Sequence, residues 1–203
     1  MKFALIKTLR SALFVSGLAG LAWAFAAVAP ASAQQAGAQA PGSQASGAQA
    51  SGAQVSGAQV LGDSGTWQAL TYKEGGADVC YVASLPRKSE GHAPKPGEAN
   101  ILVTHWPARK NYGVVSIAVG GDYKKDSHVE LQIGTDKFSL FTQGNRAWAN
   151  DGDDAKIVAA FKSGRDVTVR AFPAKGARTA DVYSLDGFSK AYELASKACR
   201  VKG

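Results

Sequence analysis

The sequence predicts a mainly β fold, a compact antiparallel β-sandwich with one short helix and a C-terminal helix. Three observations carry this reading. Short stretches rich in β-branched or aromatic residues recur between residues 67 and 185, each bounded by Gly, Pro, Asn or Asp. A helical period replaces the strand period in only two places. No helix alternates with the strands, which argues against a parallel sheet built of strand–helix–strand units.

The elements follow in order. Residues 67–72, Trp67-Gln68-Ala69-Leu70-Thr71-Tyr72, alternate as a strand does, and residues 79–84 form a second strand. Residues 100–106, 113–119, 128–133, 137–142 and 146–149 continue the series, with a tight hairpin at Gly134-Thr135-Asp136. Over residues 153–162 the period changes. Ile157, Val158 and Phe161 share a helical face, acids open the segment, and Ser163-Gly164 stops it. Residues 166–172 return to strand, with Val167, Val169 and Ala171 on one face, and residues 178–185 form the last strand. Asp186-Gly187-Phe188 opens a helix that runs through Cys199, with Phe188, Tyr192 and Ala195 at helical spacing.

The whole chain has 203 residues, a formal charge of +7 and 45% hydrophobic residues, but these averages conceal three parts. Residues 1–33 read as a secretory signal. Lys2, Lys7 and Arg10 precede an uncharged stretch ending at Pro30, and Ala31-Ser32-Ala33 has the small-x-small pattern cut by signal peptidase. Cleavage is expected before Gln34. The alternative is an uncleaved anchor, since about twenty apolar residues span a bilayer, but Gly17, Gly20 and Pro30 weaken such a helix. Cleavage removes the three basic residues, so the charge falls from +7 to +4.

Residues 34–65 are dominated by Ala, Gln, Gly and Ser, and Asp63 is their only charge. Ser46-Gly47-Ala48-Gln49-Ala50 recurs from Ser51 and again from Ser56. Small side chains bury too little apolar area to offset chain entropy, so the segment reads as a disordered linker. Its typical reach would be roughly 30 Å. It is either a spacer from a surface or the product of repeat slippage. Residues 66–203 hold every Cys and His, all six Tyr and three of the four Trp, and form the single folding domain.

Site chemistry is sparse. His92, His105 and His128 share no i, i+3 or i+4 spacing, so neither a metal nor any other cofactor is expected. No catalytic residue is assigned: a Gly-x-Ser-x-Gly elbow is lacking, and no Ser/His/Asp order stands out. Asp151, Asp153 and Asp154 faintly suggest a calcium loop, but an acidic helix start explains them better. Arg87-Lys88, Arg109-Lys110 and Lys124-Lys125 lie in expected loops and could meet phosphate, anionic lipid or host glycan. With 20 basic and about 15 acidic residues interspersed, a solvated surface is the plainer reading, and nucleic acid is not an expected partner. Trp106, beside Pro107, and Tyr112 are either core residues or an exposed binding patch.

Cys80 and Cys199 are the only cysteines. In an exported chain an even pair reads as one disulfide. It would close a loop of about 119 residues and contribute roughly 4–5 kcal/mol. The alternative is two free thiols; no Cys-x-x-Cys motif supports redox catalysis.

Three strings carry a resemblance: residues 79–90 (Val79-Cys80-Tyr81 through Ser89-Glu90), residues 138–149 (Phe138-Ser139-Leu140 through Trp148-Ala149), and residues 179–191 followed by Cys199. In this order they resemble the invasion-associated locus B family of exported bacterial proteins, over essentially all of residues 66–203. The resemblance implies a compact β-sandwich and, through members linked to host-cell invasion, a role aiding host-cell interaction or envelope integrity; the signal, the spacer and the lack of a catalytic constellation point to a non-enzymatic envelope or surface protein. Its partner would be an envelope or host-surface component, and its location periplasmic, envelope-associated or extracellular. A periplasmic hydrolase or carbohydrate-active enzyme on the same scaffold is the alternative reading.

Overall fold

The protein is described by a computed structural model, in which residues 57–95 and 97–202 are placed. The expected signal at residues 1–33 and most of the expected linker lie outside the described residues. The described residues form eleven strands and two α-helices. The strands are β1 (Gln59–Ser64), β2 (Trp67–Glu74), β3 (Ala77–Ser84), β4 (Lys88–Glu90), β5 (Ala99–Trp106), β6 (Asn111–Val119), β7 (His128–Ile133), β8 (Asp136–Gln143), β9 (Arg146–Trp148), β10 (Asp166–Ala171) and β11 (Thr179–Ser184). The helices are α1 (Asp154–Ser163) and α2 (Phe188–Ala198). The mainly β expectation holds, and every strand pair is antiparallel.

One sheet contains all eleven strands in the order β1-β2-β3-β5-β6-β9-β8-β7-β10-β11-β4. Only residues 85–87 separate β3 from β4, yet these strands sit near opposite ends of that order. The sheet must therefore curl until its ends meet, as in a sandwich with a corner strand. The seam is visible in the bonds across it. The Trp67 indole N–H donates to the Ser184 carbonyl at 2.9 Å, and the Arg87 N–H donates to the Val182 carbonyl at 2.9 Å.

Alternation along the strands fills the interior. On β10 the side chains of Val167, Val169 and Ala171 are fully buried, while Asp166, Thr168 and Arg170 are not. The two helices cover the sheet with an aromatic group. Phe188 of α2 stands edge-on to Trp67 at 4.9 Å and to Phe161 of α1 at 5.2 Å. The Cys80–Cys199 disulfide ties the C-terminal end of α2 to β3.

Two strands depart from the sequence reading. β1 lies inside residues 34–65, expected as linker, and includes Gln59 and Val60 of the third repeat. The adjacent edge of β2 supplies its hydrogen-bond partners through a turn at Gly65, with a register shift between Val60 and Gly62. β4 is three polar residues whose strand conformation comes from pairing with β11. Neither has the periodicity that marks a strand in isolation.

Candidate functional site

The site is built where β5 turns into β6. A register irregularity between Thr104 and Trp106 interrupts the β5–β6 ladder, as bulges do where a strand re-aims its side chains. A single 3-10 turn, Pro107–Arg109, follows, and Pro107 supplies the fixed φ at its start. Lys110 closes that turn in the left-handed region at φ 57°, with its N–H donating to the Pro107 carbonyl at 3.0 Å. The turn leaves Trp106 and Tyr112 on the same side of the sheet as Phe141 of β8 and Trp148 of β9.

These four rings line an open groove of about 660 Å³. Register places them: Trp148 pairs with Ser116 on one flank and Phe141 on the other. Tyr112 and Phe141 remain 48% and 46% exposed, although large aromatics ordinarily seek the core. Of the two alternatives for Trp106 and Tyr112, Tyr112 is the exposed one, and Trp106 is half-buried.

One wall of the groove is fixed by a polar network. Trp106 donates its indole N–H to Glu74 Oε2 at 3.2 Å, and Tyr72 donates its hydroxyl to the same oxygen at 3.3 Å. Arg109 pairs with Glu74 and lies over the Trp106 ring, 5.9 Å from its centroid. Burial, and then the Glu74 charge, hold the Tyr72 hydroxyl above its usual pKa. The opposite rim carries Asp151 and Asp154 at the start of α1.

The acidic string differs from its expected helix-start role in detail. Asp153 occupies the N-cap position but makes no side-chain cap bond, and instead accepts from Lys156 Nζ at 2.8 Å. Asp154 Oδ1 accepts the Val115 N–H at 2.7 Å and so pins α1 to β6. Burial pushes the Asp154 carboxyl up, the Val115 N–H opposes this, and Asp153 and Asp151 add to the rise. Among the described residues no group of three or more His, Cys, Asp and Glu side chains is placed to hold a metal ion.

The histidines do not converge. His92 bonds Asp181 at 2.8 Å, with the Asp181 side chain wholly enclosed. His128 is exposed on β7. His105 is fully buried at the β5 irregularity. Its Nδ1 accepts the Gly113 N–H at 3.1 Å, so its ring proton sits on Nε2, 3.1 Å from Ser196 Oγ. Ser196 Oγ in turn donates to the Tyr192 carbonyl at 2.7 Å. This wiring is the reverse of an activated nucleophile, where the imidazole accepts the serine proton. Burial also pushes the His105 pKa down to about 4.

The paired basic residues are dispersed. Arg87 pairs with Asp166 at 3.0 Å, Lys88 pairs with Glu90 at 2.6 Å, and Lys124 and Lys125 are exposed on the loop after β6. Only Arg109 and Lys110 join the groove. Phe141, Trp148, Asn111 and Gln143 were not singled out by sequence reasoning. The signal that points to Phe141 is its β8 position, facing outward beside inward Leu140.

Fold and groove define a class: a disulfide-closed antiparallel β domain with an aromatic groove on its sheet. The model of the invasion associated locus B (IalB) protein family matches residues 67–196, and the chain belongs to that family. The crystal structure of invasion associated protein b from Bartonella henselae has the same fold, at a TM-score of 0.51 and 16% sequence identity. That likeness covers 70% of this chain and 97% of the other. No curated protein matches the chain. Among the described residues no helix is long and apolar enough to cross a membrane.

Proposed function

We propose that this IalB-family protein is exported and acts without catalysis as a binding module of the bacterial envelope or surface. On this reading the aromatic groove contacts an envelope or host-surface component. The observation that carries the reading is the pair of nearly half-exposed rings, Tyr112 and Phe141, on strands that belong to the sheet. Sheet strands lose little entropy on binding, so exposed rings there supply contact area at low cost.

Export is supported by the signal pattern of residues 1–33 and by the Cys80–Cys199 bridge, since disulfides persist in oxidising compartments. A non-catalytic role is supported by the reversed His105–Ser196 wiring and by the structural commitment of Asp154 to Val115.

Fractionation with N-terminal sequencing and non-reducing mass analysis tests export. The mature chain should begin at Gln34, lie outside the cytoplasm and carry no free thiol. A full-length, reduced, cytoplasmic chain would refute it. Co-sedimentation with isolated envelopes and with host-cell surfaces tests binding. Retention by one of them should fall when Tyr112→Ala and Phe141→Ala are combined; unchanged retention would remove the groove from the proposal.

A further inference from the structure

We infer that the groove takes an uncharged pyranose oligosaccharide; this rests on the binding reading of the same site. Tyr112, Trp148 and Phe141 come from β6, β9 and β8, three successive strands of the sheet. Phe141 and Trp148 stand in register with Ser116, and Tyr112 lies four residues along β6 from Ser116, roughly 13 Å along the strand. That is an extended platform of ring surface rather than a single enclosed slot. A pyranose presents apolar C–H faces and a girdle of hydroxyls. Aromatic rings accept the faces, since they combine apolar area with a negative π surface.

The rim matches the hydroxyls. Asn111, Gln143 and Asp151 are exposed at the groove, and their side chains make no hydrogen bond or ion pair within the described structure. An amide both donates and accepts, as a hydroxyl does, and a carboxylate accepts from two neighbouring hydroxyls. A purely apolar ligand would leave these groups desolvated and unpaired, which costs affinity.

The local charges select an uncharged ligand. Glu74 neutralises Arg109, which leaves Lys110 with Asp151 and Asp154 among the lining residues, a balance of one negative charge. The groove therefore lacks the positive excess that recognises a polyanion, and a single surplus negative charge is not the acidic cluster that recognises a basic peptide. Main-chain pairing also disfavours an extended peptide. Around Trp148 and Phe141, β9 fills the space between β6 and β8, so that part of the groove floor opens no sheet edge for strand addition.

The test is a titration of the purified chain, followed by the indole N–H resonances and fluorescence. The probes are cellotetraose, the β-1,4-linked N-acetylglucosamine tetramer, a proline-rich decapeptide and phosphatidylcholine vesicles. A tetrasaccharide should shift the Trp148 indole resonance while leaving that of buried Trp67 in place. Tyr112→Ala and Phe141→Ala should each weaken this binding about tenfold, as central aromatic contacts do, and leave the urea midpoint unchanged. Asp151→Asn should weaken it severalfold. Absence of any shift from either tetrasaccharide at about 10 mM, an affinity weaker than about 2.7 kcal/mol, overturns the saccharide assignment. If the peptide or the vesicles shift Trp148 instead, the saccharide assignment falls and the binding-module reading stands. If no probe acts and the double variant also leaves envelope and host-cell retention unchanged, both fall.

Discussion

Removing the Cys80–Cys199 bridge should lower the unfolding free energy by about 5 kcal/mol. The bridge spans 119 residues of sequence, from β3 to the end of α2. A closed loop of that length removes about 16 cal/mol/K from the denatured ensemble, or about 5 kcal/mol at 25 °C. A domain of this size is stable by about 5–15 kcal/mol, so the loss is a third of the total or more. Cys80→Ala combined with Cys199→Ala is the suitable variant. Cys80 is wholly buried between β2 and β5, where a serine hydroxyl would add a desolvation penalty unrelated to the bridge. The assay is urea unfolding followed by tryptophan fluorescence, because Trp67 is buried against Phe188 of the clamped helix. With a slope of about 2 kcal/mol/M, the midpoint should fall by about 2–3 M. The slope itself should rise, since the uncrosslinked denatured chain exposes more surface. A loss below about 1 kcal/mol with an unchanged slope would refute the denatured-state account. The bridge would then fasten two elements that packing already holds.

Phe188→Ala removes the ring that joins Trp67 to Phe161 and should cost about 3–5 kcal/mol, read as a fall in calorimetric Tm; a loss under about 1 kcal/mol would contradict the packing described. Gly187→Ala should be more damaging than an exposed substitution, because a Cβ there would lie 1.9 Å from the Ser64 carbonyl oxygen and φ is 85°; an unchanged urea midpoint would refute this. Acid should destabilise the fold through His105. Its folded pKa of about 4 lies below the ordinary 6.5, so the unfolded chain takes the proton first. Its stabilising contribution is complete above about pH 6.5 and is lost as pH falls toward 4. Histidine-selective NMR should show a neutral Nε2–H tautomer at pH 5, and a charged ring at that pH would refute the assignment.

Much of the fold is written in local pattern. Nine of the strands and both helices carry periods or turn residues that act within a dozen positions. Ile157, Val158 and Phe161 turn inward on α1 as their spacing requires, and Gly134 makes the short β7–β8 hairpin in which Ile133 pairs with Asp136. Strand order is different, because it depends on pairings between distant segments. β7 lies beside β10, and β4 beside β11, with no local signature for either choice. β1 shows the same physics at its limit. A composition that cannot bury apolar area alone still forms a strand when a neighbouring edge offers unpaired main-chain groups.

The groove was half legible for a related reason. Trp106 and Tyr112 stand out in sequence because Pro107 marks a break, but sequence alone favours core over surface for them, since aromatics are more often buried. Exposure is decided by which face of β6 meets β9. Val115 and Ile117 point into the core, which turns Tyr112 and Val114 outward, and the Ser116–Trp148 pairing then places Trp148 beside them. Leu140 does the same for β8: its burial obliges Phe141 to face solvent. The inward residues therefore fix the outward ones, yet they fix only position. They place no demand that an outward residue be aromatic, although the Tyr112 ring also lies 6.4 Å from the buried His105 ring. Two exposed rings at positions where alternation requires only an outward residue are the observation on which the proposed binding role rests.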